Sequence, residues 1–224
     1  MTKVKLVLIF ALLTCSAYIL AAQDSTLRLR LKAGDKASHG AFISSSIEGE
    51  HSRDEFFAVR GGLMYSSIGR TALELRPELF HDLSWGRLKA EALLHYSRQA
   101  SISNSAAGLG FGIDADWFYG TVGYYYRSIA GKDGKISEPL NYFYEIGFRF
   151  LEKIDAWDLD FIITNSEMFE LERQYQMTLL LEGCWYPSKA VGINFGVGYK
   201  PAGTFNMSSD YYQLSGTLGL CYRW

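Results

Sequence analysis

The chain has 224 residues and a formal net charge of −2, which gives no reason to expect a nucleic-acid-binding surface. Its length suits one domain, its 22 glycines far outnumber its 4 prolines, and its 3 cysteines are too few for a disulfide framework. Beyond the first twenty-odd residues no apolar run is long enough for a membrane-spanning helix.

Residues 1–22 have the organisation of a secretory signal peptide. A short cationic start precedes an apolar block at residues 6–13, and small residues follow up to Ala22, after which we expect cleavage. An uncleaved membrane anchor is one alternative, because the apolar run reaches a length near the lower limit for a spanning helix. Lipidation of Cys15 is another, although a threonine precedes this cysteine and apolar residues follow it.

The rest of the chain alternates between apolar and polar residues in short segments. Because successive side chains of a strand point to opposite faces, this alternation predicts β-strands. The alternation is weakest in the second segment. If the first two segments did not both form strands, the barrel would have ten strands. In chain order the twelve predicted strands are 26–33, 40–49, 56–66, 70–80, 87–97, 106–114, 117–127, 142–151, 157–164, 173–185, 190–200 and 211–224.

Two local features qualify this strand assignment. Pro77 cannot donate a ladder hydrogen bond, so we expect it near a strand end or at a bulge. Residues 130–139 are polar and contain two glycines and a proline, which predicts a flexible loop.

The last strand carries the most informative pattern. One face has an aromatic residue at each end and is otherwise apolar, whereas the other face is small or polar; the first face reads Tyr212, Leu214, Gly216, Leu218, Leu220, Tyr222 and Trp224. An apolar band of about ten residues with aromatic ends is typical of a transmembrane β-barrel strand.

Across nearly its whole mature length the sequence resembles bacterial outer-membrane β-barrel proteins as a class, without a motif that selects one family. The resemblance implies an all-β fold, a transmembrane up-and-down antiparallel barrel spanning residues 23–224, in the outer membrane of a diderm (Gram-negative-type) bacterium. It also implies contact with outer-membrane lipids, periplasmic chaperones and the barrel-assembly machinery, which would read Tyr222 and Trp224 as an assembly signal. We expect a monomer.

The aromatic residues predict how the barrel sits in the membrane. All five tryptophans fall toward the edge that carries the chain termini, and tyrosines fall toward the opposite edge. Amphipathic rings favour the membrane–water boundary, so the two groups predict two girdles. The tyrosines of the second girdle are Tyr65, Tyr96, Tyr126, Tyr142, Tyr175, Tyr199 and Tyr212.

A soluble, lipocalin-like barrel is the alternative fold. Such a barrel would enclose the apolar face, and this face carries too many large aromatic side chains to fit inside a small barrel. The polar face is rich in glycine, which suits a crowded lumen better than a solvated surface.

The polar face would line the lumen and carries charges of both signs. These charges could line a narrow pore for small solutes, or they could form salt bridges that partly plug a structural barrel. Twelve strands lie between a filled eight-stranded barrel and a wide porin. The predicted lumen charges are Arg60, Glu74, Arg76, Glu78, Arg87, Lys89, Glu91, Glu145, Arg149, Asp158, Asp160 and Glu182, with Arg28, Arg30 and Lys32 on the same face of the first strand.

Two other functions compete with the pore. The sequence His95-Tyr96-Ser97 is similar to the His-x-Ser motif of outer-membrane phospholipases and lipid A deacylases, where both side chains face the lipid. Here His95 and Ser97 share the polar face, so we expect no catalytic residue. The second competing function is that of a surface-binding protein that acts through its extracellular loops, although the predicted loops are short.

The sequence indicates no cofactor and no metal site. His39, His51 and His81 lack metal-ligand spacing, and loop or turn histidines account for them. We expect Cys184 and Cys221 to stay unlinked, because one strand lies between theirs.

Overall fold

The computed structural model describes residues 24–37, 40–52, 56–132, 134–154, 156–171, 176–201 and 211–224. The predicted signal peptide, Cys15, His39 and Tyr175 lie outside the described residues. Within the described ranges no helix is long and apolar enough to cross a membrane.

Twelve antiparallel strands form a closed barrel, as predicted, and each barrel strand pairs with its neighbours along the chain. Two further short strands, β10 (Ser166–Glu167) and β11 (Glu170–Leu171), pair with each other and interrupt the sequence between β9 and β12. The barrel strands are β1 (Asp24–Lys36), β2 (Gly40–Ser52), β3 (Phe57–Ser66), β4 (Arg70–Leu83), β5 (Gly86–Gln99), β6 (Ile102–Asp114), β7 (Phe118–Gly131), β8 (Gly134–Ile154), β9 (Trp157–Thr164), β12 (Thr178–Trp185), β13 (Val191–Pro201) and β14 (Tyr211–Arg223).

The first and last strands close the barrel. β1 pairs with β14 from Thr26 opposite Arg223 to Lys36 opposite Gln213. Ser25 and Trp224 extend this ladder by exchanging two backbone hydrogen bonds of 3.1 Å. Closure leaves the described twelve-stranded sheet without an edge. Because the strand number is even, both described ends of the barrel lie at one rim, which we call the terminal rim.

The two faces of the barrel have opposite character. The outward face is apolar and exposed, with Leu109, Phe111 and Val122 among its most exposed residues at 63–69%. The inward face buries charged and polar side chains such as Glu74 and Arg76. A barrel with this arrangement satisfies its backbone internally and presents an apolar surface to lipid.

Tryptophans mark the terminal rim. Trp85 and Trp117 lie in turns at that rim, Trp157 begins β9 and Trp185 ends β12; all four are exposed. Trp157 stacks on Trp185, and Tyr222 stacks on Trp224, with ring centroids 5.9 and 5.4 Å apart. Exposed Tyr65 and Tyr96 lie toward the other rim.

Three local predictions were wrong. Residues 130–139 form no loop, because β7 and β8 extend to Gly131 and Gly134 with Ser128 opposite Ser137, and Gly134 adopts a positive φ of 136° at the tip. The tenth predicted strand is shorter: Gln176 and Met177 are not in a strand, and β12 begins at Thr178.

Pro77 was also misplaced by the sequence pattern. It lies in the middle of β4 opposite Val59, neither at a strand end nor at a bulge. The β4–β5 ladder pairs Leu75 with Leu94 and then Glu78 with Glu91, so the register is unchanged on either side of the proline. The missing N–H therefore interrupts this ladder locally without moving the strand.

Candidate functional site

Residues 165–171 turn into the lumen instead of extending away from the barrel; we call them the lumen hairpin. The turn inward starts at Asn165, whose side-chain oxygen accepts from Tyr144 N–H at 2.8 Å and whose amide donates to Tyr142 carbonyl at 3.0 Å. The Thr164 hydroxyl donates to Tyr144 carbonyl and accepts from Ser166 N–H, at 2.8 and 2.9 Å. Side chains thus replace ladder bonds at the end of β9 and redirect the backbone.

Strand β4 holds the backbone of the lumen hairpin. Arg76 donates to Ser166 carbonyl and Arg70 donates to Phe169 carbonyl, both at 2.6 Å. Phe169 N–H donates to the Glu74 carboxylate at 2.9 Å. Three bonds of this kind satisfy backbone groups that would otherwise be buried without a partner, and bonds to charged groups are stronger than neutral ones.

Ion pairs fasten the hairpin to two further strands, β1 and β13, and again to β4. Glu167 pairs with Lys32 on β1 and, at 3.7 Å, with Lys200 on β13. Glu170 pairs with Lys200 and, at 3.8 Å, with Arg70 on β4. Both carboxylates face cations from two strands, so the charges buried by docking are compensated.

Apolar contacts complete the docking. Leu171 is 6% exposed and packs in a cluster inside the barrel with Leu93, Ala106, Tyr125 and Phe143. Phe169 is 3% exposed and lies against Gly62, where an added Cβ would come within 2.8 Å of the ring. The missing side chain at residue 62 leaves room for this ring, and it also avoids the Ile47 carbonyl oxygen of β2, which an added Cβ would approach to 2.4 Å.

A dense charge cluster lies on β3, β4 and β5. Arg76 pairs with Glu74 at 2.6 Å and Glu91 at 3.5 Å, Arg60 pairs with Glu78 at 2.6 Å, and Lys89 pairs with Glu91 at 3.1 Å. Glu145 on β8 approaches this cluster from the opposite wall, 4.0 Å from Arg60 and 3.9 Å from Arg76. The cluster therefore reaches across the lumen to β8 and narrows it.

Other charges pair around the remaining wall. Arg30 lies between Glu48 at 3.5 Å and Glu182 at 3.3 Å, and Arg28 pairs with Glu50 at 3.7 Å. At the terminal rim Asp114 is shared by Arg87 and Arg149, and Arg223 donates to Asp158 at 2.7 Å.

These walls enclose a cavity of about 710 Å³. It extends from Arg87 and Asp114 near the terminal rim to the underside of the lumen hairpin, where residues 167–170 line it. The hairpin is therefore the roof of the cavity on the side away from the terminal rim.

The predicted lumen charges fall into three groups in the structure. Glu74, Arg76 and Glu91 are almost fully buried in the charge cluster, and Asp158 lies at the terminal rim. The other eight line the cavity: Arg60, Glu78, Arg87, Lys89, Glu145, Arg149, Asp160 and Glu182.

Sequence reasoning missed the lumen hairpin and the charges that hold it. Glu167 and Glu170 lie in a segment without alternation, so no strand pattern placed them inside. Lys200 could have been found, because it continues the inward parity of Asn194 on β13. Glu48 and Asp114, also missed, could have been assigned in the same way.

His95 and Ser97 both face the lumen and are 4% and 6% exposed. His95 Nδ1 lies 2.8 Å from a Glu74 oxygen inside the charge cluster. The motif thus has the inward orientation that its parity predicts, and neither side chain reaches the lipid. Among the described residues, no group of three or more His, Cys, Asp or Glu side chains is arranged to hold a metal ion.

Solved structures share this architecture. The NanC porin superposes with a TM-score of 0.60 at 9% identity, over 87% of this chain and 98% of that chain. The KdgM porin gives 0.56 at 12% identity, over 88% and 98%. The translocator domain of the autotransporter NalP from Neisseria meningitidis gives 0.54 at 13% identity, over 90% and 88%.

No protein-family model and no curated protein sequence matches the chain. At identities this low the structural likeness establishes the fold alone. Closure in twelve antiparallel strands and the apolar exterior give the chain the fold of a transmembrane β-barrel, which these neighbours share.

Proposed function

We propose that the protein is a narrow outer-membrane pore for small solutes whose lumen is closed by the lumen hairpin in the conformation described here. One observation carries the proposal: the charged cavity ends against a seven-residue segment of chain and not against the barrel wall. A structural barrel has no need of a chamber that a separable segment roofs. The terminal rim faces the periplasm in this proposal, so the hairpin closes the outer side.

The size of the cavity fits this role. At about 30 Å³ per molecule in the liquid, 710 Å³ has room for on the order of twenty waters. Small-molecule sites commonly measure about 300–1,000 Å³, so a hydrated solute of modest size fits below the hairpin. Mixed charges along the walls favour polar solutes over apolar ones.

Export and assembly complete the proposal. Residues 1–22 direct secretion and are removed, and periplasmic chaperones deliver the chain to the barrel-assembly machinery. Tyr222 and Trp224, stacked at the end of β14, serve as the assembly signal. The barrel then lies in outer-membrane lipid as a monomer.

Liposome swelling tests the proposed pore directly. The double substitution Glu167→Gln with Glu170→Gln removes the charges that pair with Lys32, Lys200 and Arg70. We expect faster entry of a small polar solute through this variant than through the wild type. Glu138→Gln, on the extension of β8 away from this ion-pair network, is the matched control and should behave as the wild type. Equal, near-zero entry for all three proteins would favour the structural-barrel alternative.

We also propose that the protein has no lipid-hydrolase activity. Ser97 lies inside the barrel, so an acyl ester in the outer leaflet cannot reach its hydroxyl. Ser97→Ala should leave phospholipid and lipid A profiles of the host membrane unchanged. Loss of acyl chains that depends on Ser97 would refute this part of the proposal.

A further inference from the structure

Two buried thiols lie close together near the terminal rim. Cys184 on β12 is 8% exposed and Cys221 on β14 is 1% exposed, and both pack against Tyr186. Strand β13 runs between their strands and places Gly192 directly opposite Cys221.

The glycine is what lets the two sulfur atoms approach each other. A Cβ built on Gly192 would lie 2.6 Å from Cys221 Sγ and 2.8 Å from Cys184 Sγ. The sulfur atoms can therefore be no farther apart than the sum of these two distances. The same Cβ would lie 2.7 Å from Tyr186 Cδ1, so the Tyr186 ring borders this space as well.

This geometry does not suit a disulfide bond. Two strand spacings alone separate the Cα atoms by about 9–10 Å, whereas a bridge needs less than about 7 Å. An offset along β13 adds to this separation, because Cys184 lies opposite Asn194 and Cys221 lies opposite Gly192. Both cysteines are free thiols in the structure. The sulfur atoms converge while their backbones stay apart, so a linker between the sulfurs fits better than a direct bond.

A metal ion can be that linker. A metal–thiolate bond is about 2.3 Å long in zinc sites, so two collinear bonds of this length span about 4.6 Å. This span is shorter than the upper bound on the distance between the two sulfur atoms. Thiolates are soft ligands that select ions such as Cu(I). Zinc would require two more ligands, and no third His, Cys, Asp or Glu joins the two thiols among the described residues.

We propose that Cys184 and Cys221 bind one soft monovalent ion of the Cu(I) or Ag(I) type, two-coordinate, in the space over Gly192. Binding forms two metal–sulfur bonds and releases both thiol protons to water, which leaves one net negative charge at the site. Two arginines lie near this charge, and each also pairs with a carboxylate. Arg28 lies opposite Cys221 in the β1–β14 register and pairs with Glu50. The Arg223 guanidinium lies 3.7 Å from the Tyr186 ring centroid and pairs with Asp158. The bound ion would link β12 to β14 across β13.

Native mass spectrometry of the refolded barrel, residues 23–224, with Ag(I) as the probe tests the site. This form contains only the two cysteines concerned. We expect one ion per barrel in the wild type, and affinity lower by at least about tenfold in Cys184→Ser and in Cys221→Ser, because each removes one of two thiolate ligands. Wild-type affinity in either single variant would show that each thiol binds silver independently and would overturn the proposal.

Gly192→Ala distinguishes a shared site from two reactive thiols. It keeps both cysteines but puts a methyl group where the ion would sit, so we expect a similar loss of affinity. Heat-modifiable migration on gels checks folding, and if this variant does not fold, the two serine variants decide the matter. As a second readout, silver should raise the unfolding temperature of the wild type but not that of Cys221→Ser. An equal rise in both, or no rise in either, would contradict a link between β12 and β14.

Discussion

Arg76 connects the charge cluster to the lumen hairpin. Its guanidinium, 3% exposed, contacts Glu74, Glu91 and the carbonyl of Ser166. Removal of this one cation would leave two buried carboxylates short of a partner and would free the backbone of the hairpin. Arg87 provides the contrast, since its side chain is 42% exposed at the terminal rim.

Arg76→Ser should therefore lower stability and raise conductance together. Breaking one partner of a buried ion pair costs about 3–5 kcal/mol, whereas an exposed pair contributes about 0–1 kcal/mol. We expect Arg87→Ser to be nearly neutral in stability. Urea unfolding of the refolded barrels, followed by tryptophan fluorescence, measures the difference. Equal effects of the two substitutions would show that Arg76 has no special structural role.

Among the structural elements, the barrel strands are determined by local sequence and the lumen hairpin by contacts with distant residues. The barrel strands are specified by alternation, which is local, so the sequence predicts all twelve. The hairpin is specified by Lys32, Arg70 and Lys200, which are far from it in sequence. No pattern within residues 165–171 reveals that their carboxylates would meet these cations.

The extension of β7 and β8 was missed for a different reason. Lys135, Ile136 and Ser137 do alternate, but glycines and Pro139 on both sides gave the segment the composition of a loop. Pairing of Ile129 with Ile136 continues the ladder beyond the bulge near Tyr125. In this segment the alternation of residues indicated the strand, whereas the composition indicated a loop. The eight charges that line the cavity were assigned from the parity of each strand alone, since parity decides which face of the sheet a side chain occupies.

Acid should release the lumen hairpin. Burial alone would raise the pKa of the Glu170 carboxyl, but Lys200, Lys32 and Arg70 outweigh it and hold the pKa well below its ordinary value. In the undocked hairpin this pKa would return to about 4.3. The contribution of Glu170 to docking is therefore complete above that pH and is lost as the pH falls through the lower pKa of the docked state.

Conductance recorded in planar bilayers between pH 7 and pH 3 tests this expectation. It should stay low down to about pH 4.3 and rise below it. In Glu170→Gln the acid-dependent rise should be smaller, because the titrating carboxyl is gone. A rise centred near neutral pH, or one that Glu170→Gln leaves unchanged, would contradict the role assigned to this residue.

At the scale of the whole molecule, closure of the barrel depends on β14. This strand pairs with both β13 and β1, and the backbone of Trp224 makes the last two bonds of the closing ladder with Ser25. The side chain of Trp224 stacks on Tyr222, which is 48% exposed at the terminal rim. The end of the chain thus provides both the closing contact and an accessible aromatic pair.

Trp224→Ser should lower the amount of folded protein in outer-membrane fractions. The substitution removes the stacked aromatic while leaving the backbone ladder able to form. Trp85→Ser, in the turn between β4 and β5 at the same rim, is the control for loss of an interfacial tryptophan. A decrease specific to Trp224, measured by heat-modifiable migration, supports the assembly signal, and equal amounts for both variants would argue against it.

Single-channel recording of a barrel without the lumen hairpin tests the central claim most directly. In this variant residues 166–171 are replaced by a short Gly-Ser segment, so the twelve barrel strands and the cavity walls remain. The wild type should show small or no steps at neutral pH, and the variant should show larger, stable steps from a lumen open at both ends. Large, stable steps in the unmodified protein, or a variant that folds and stays as silent as the wild type, would contradict a pore closed by this hairpin.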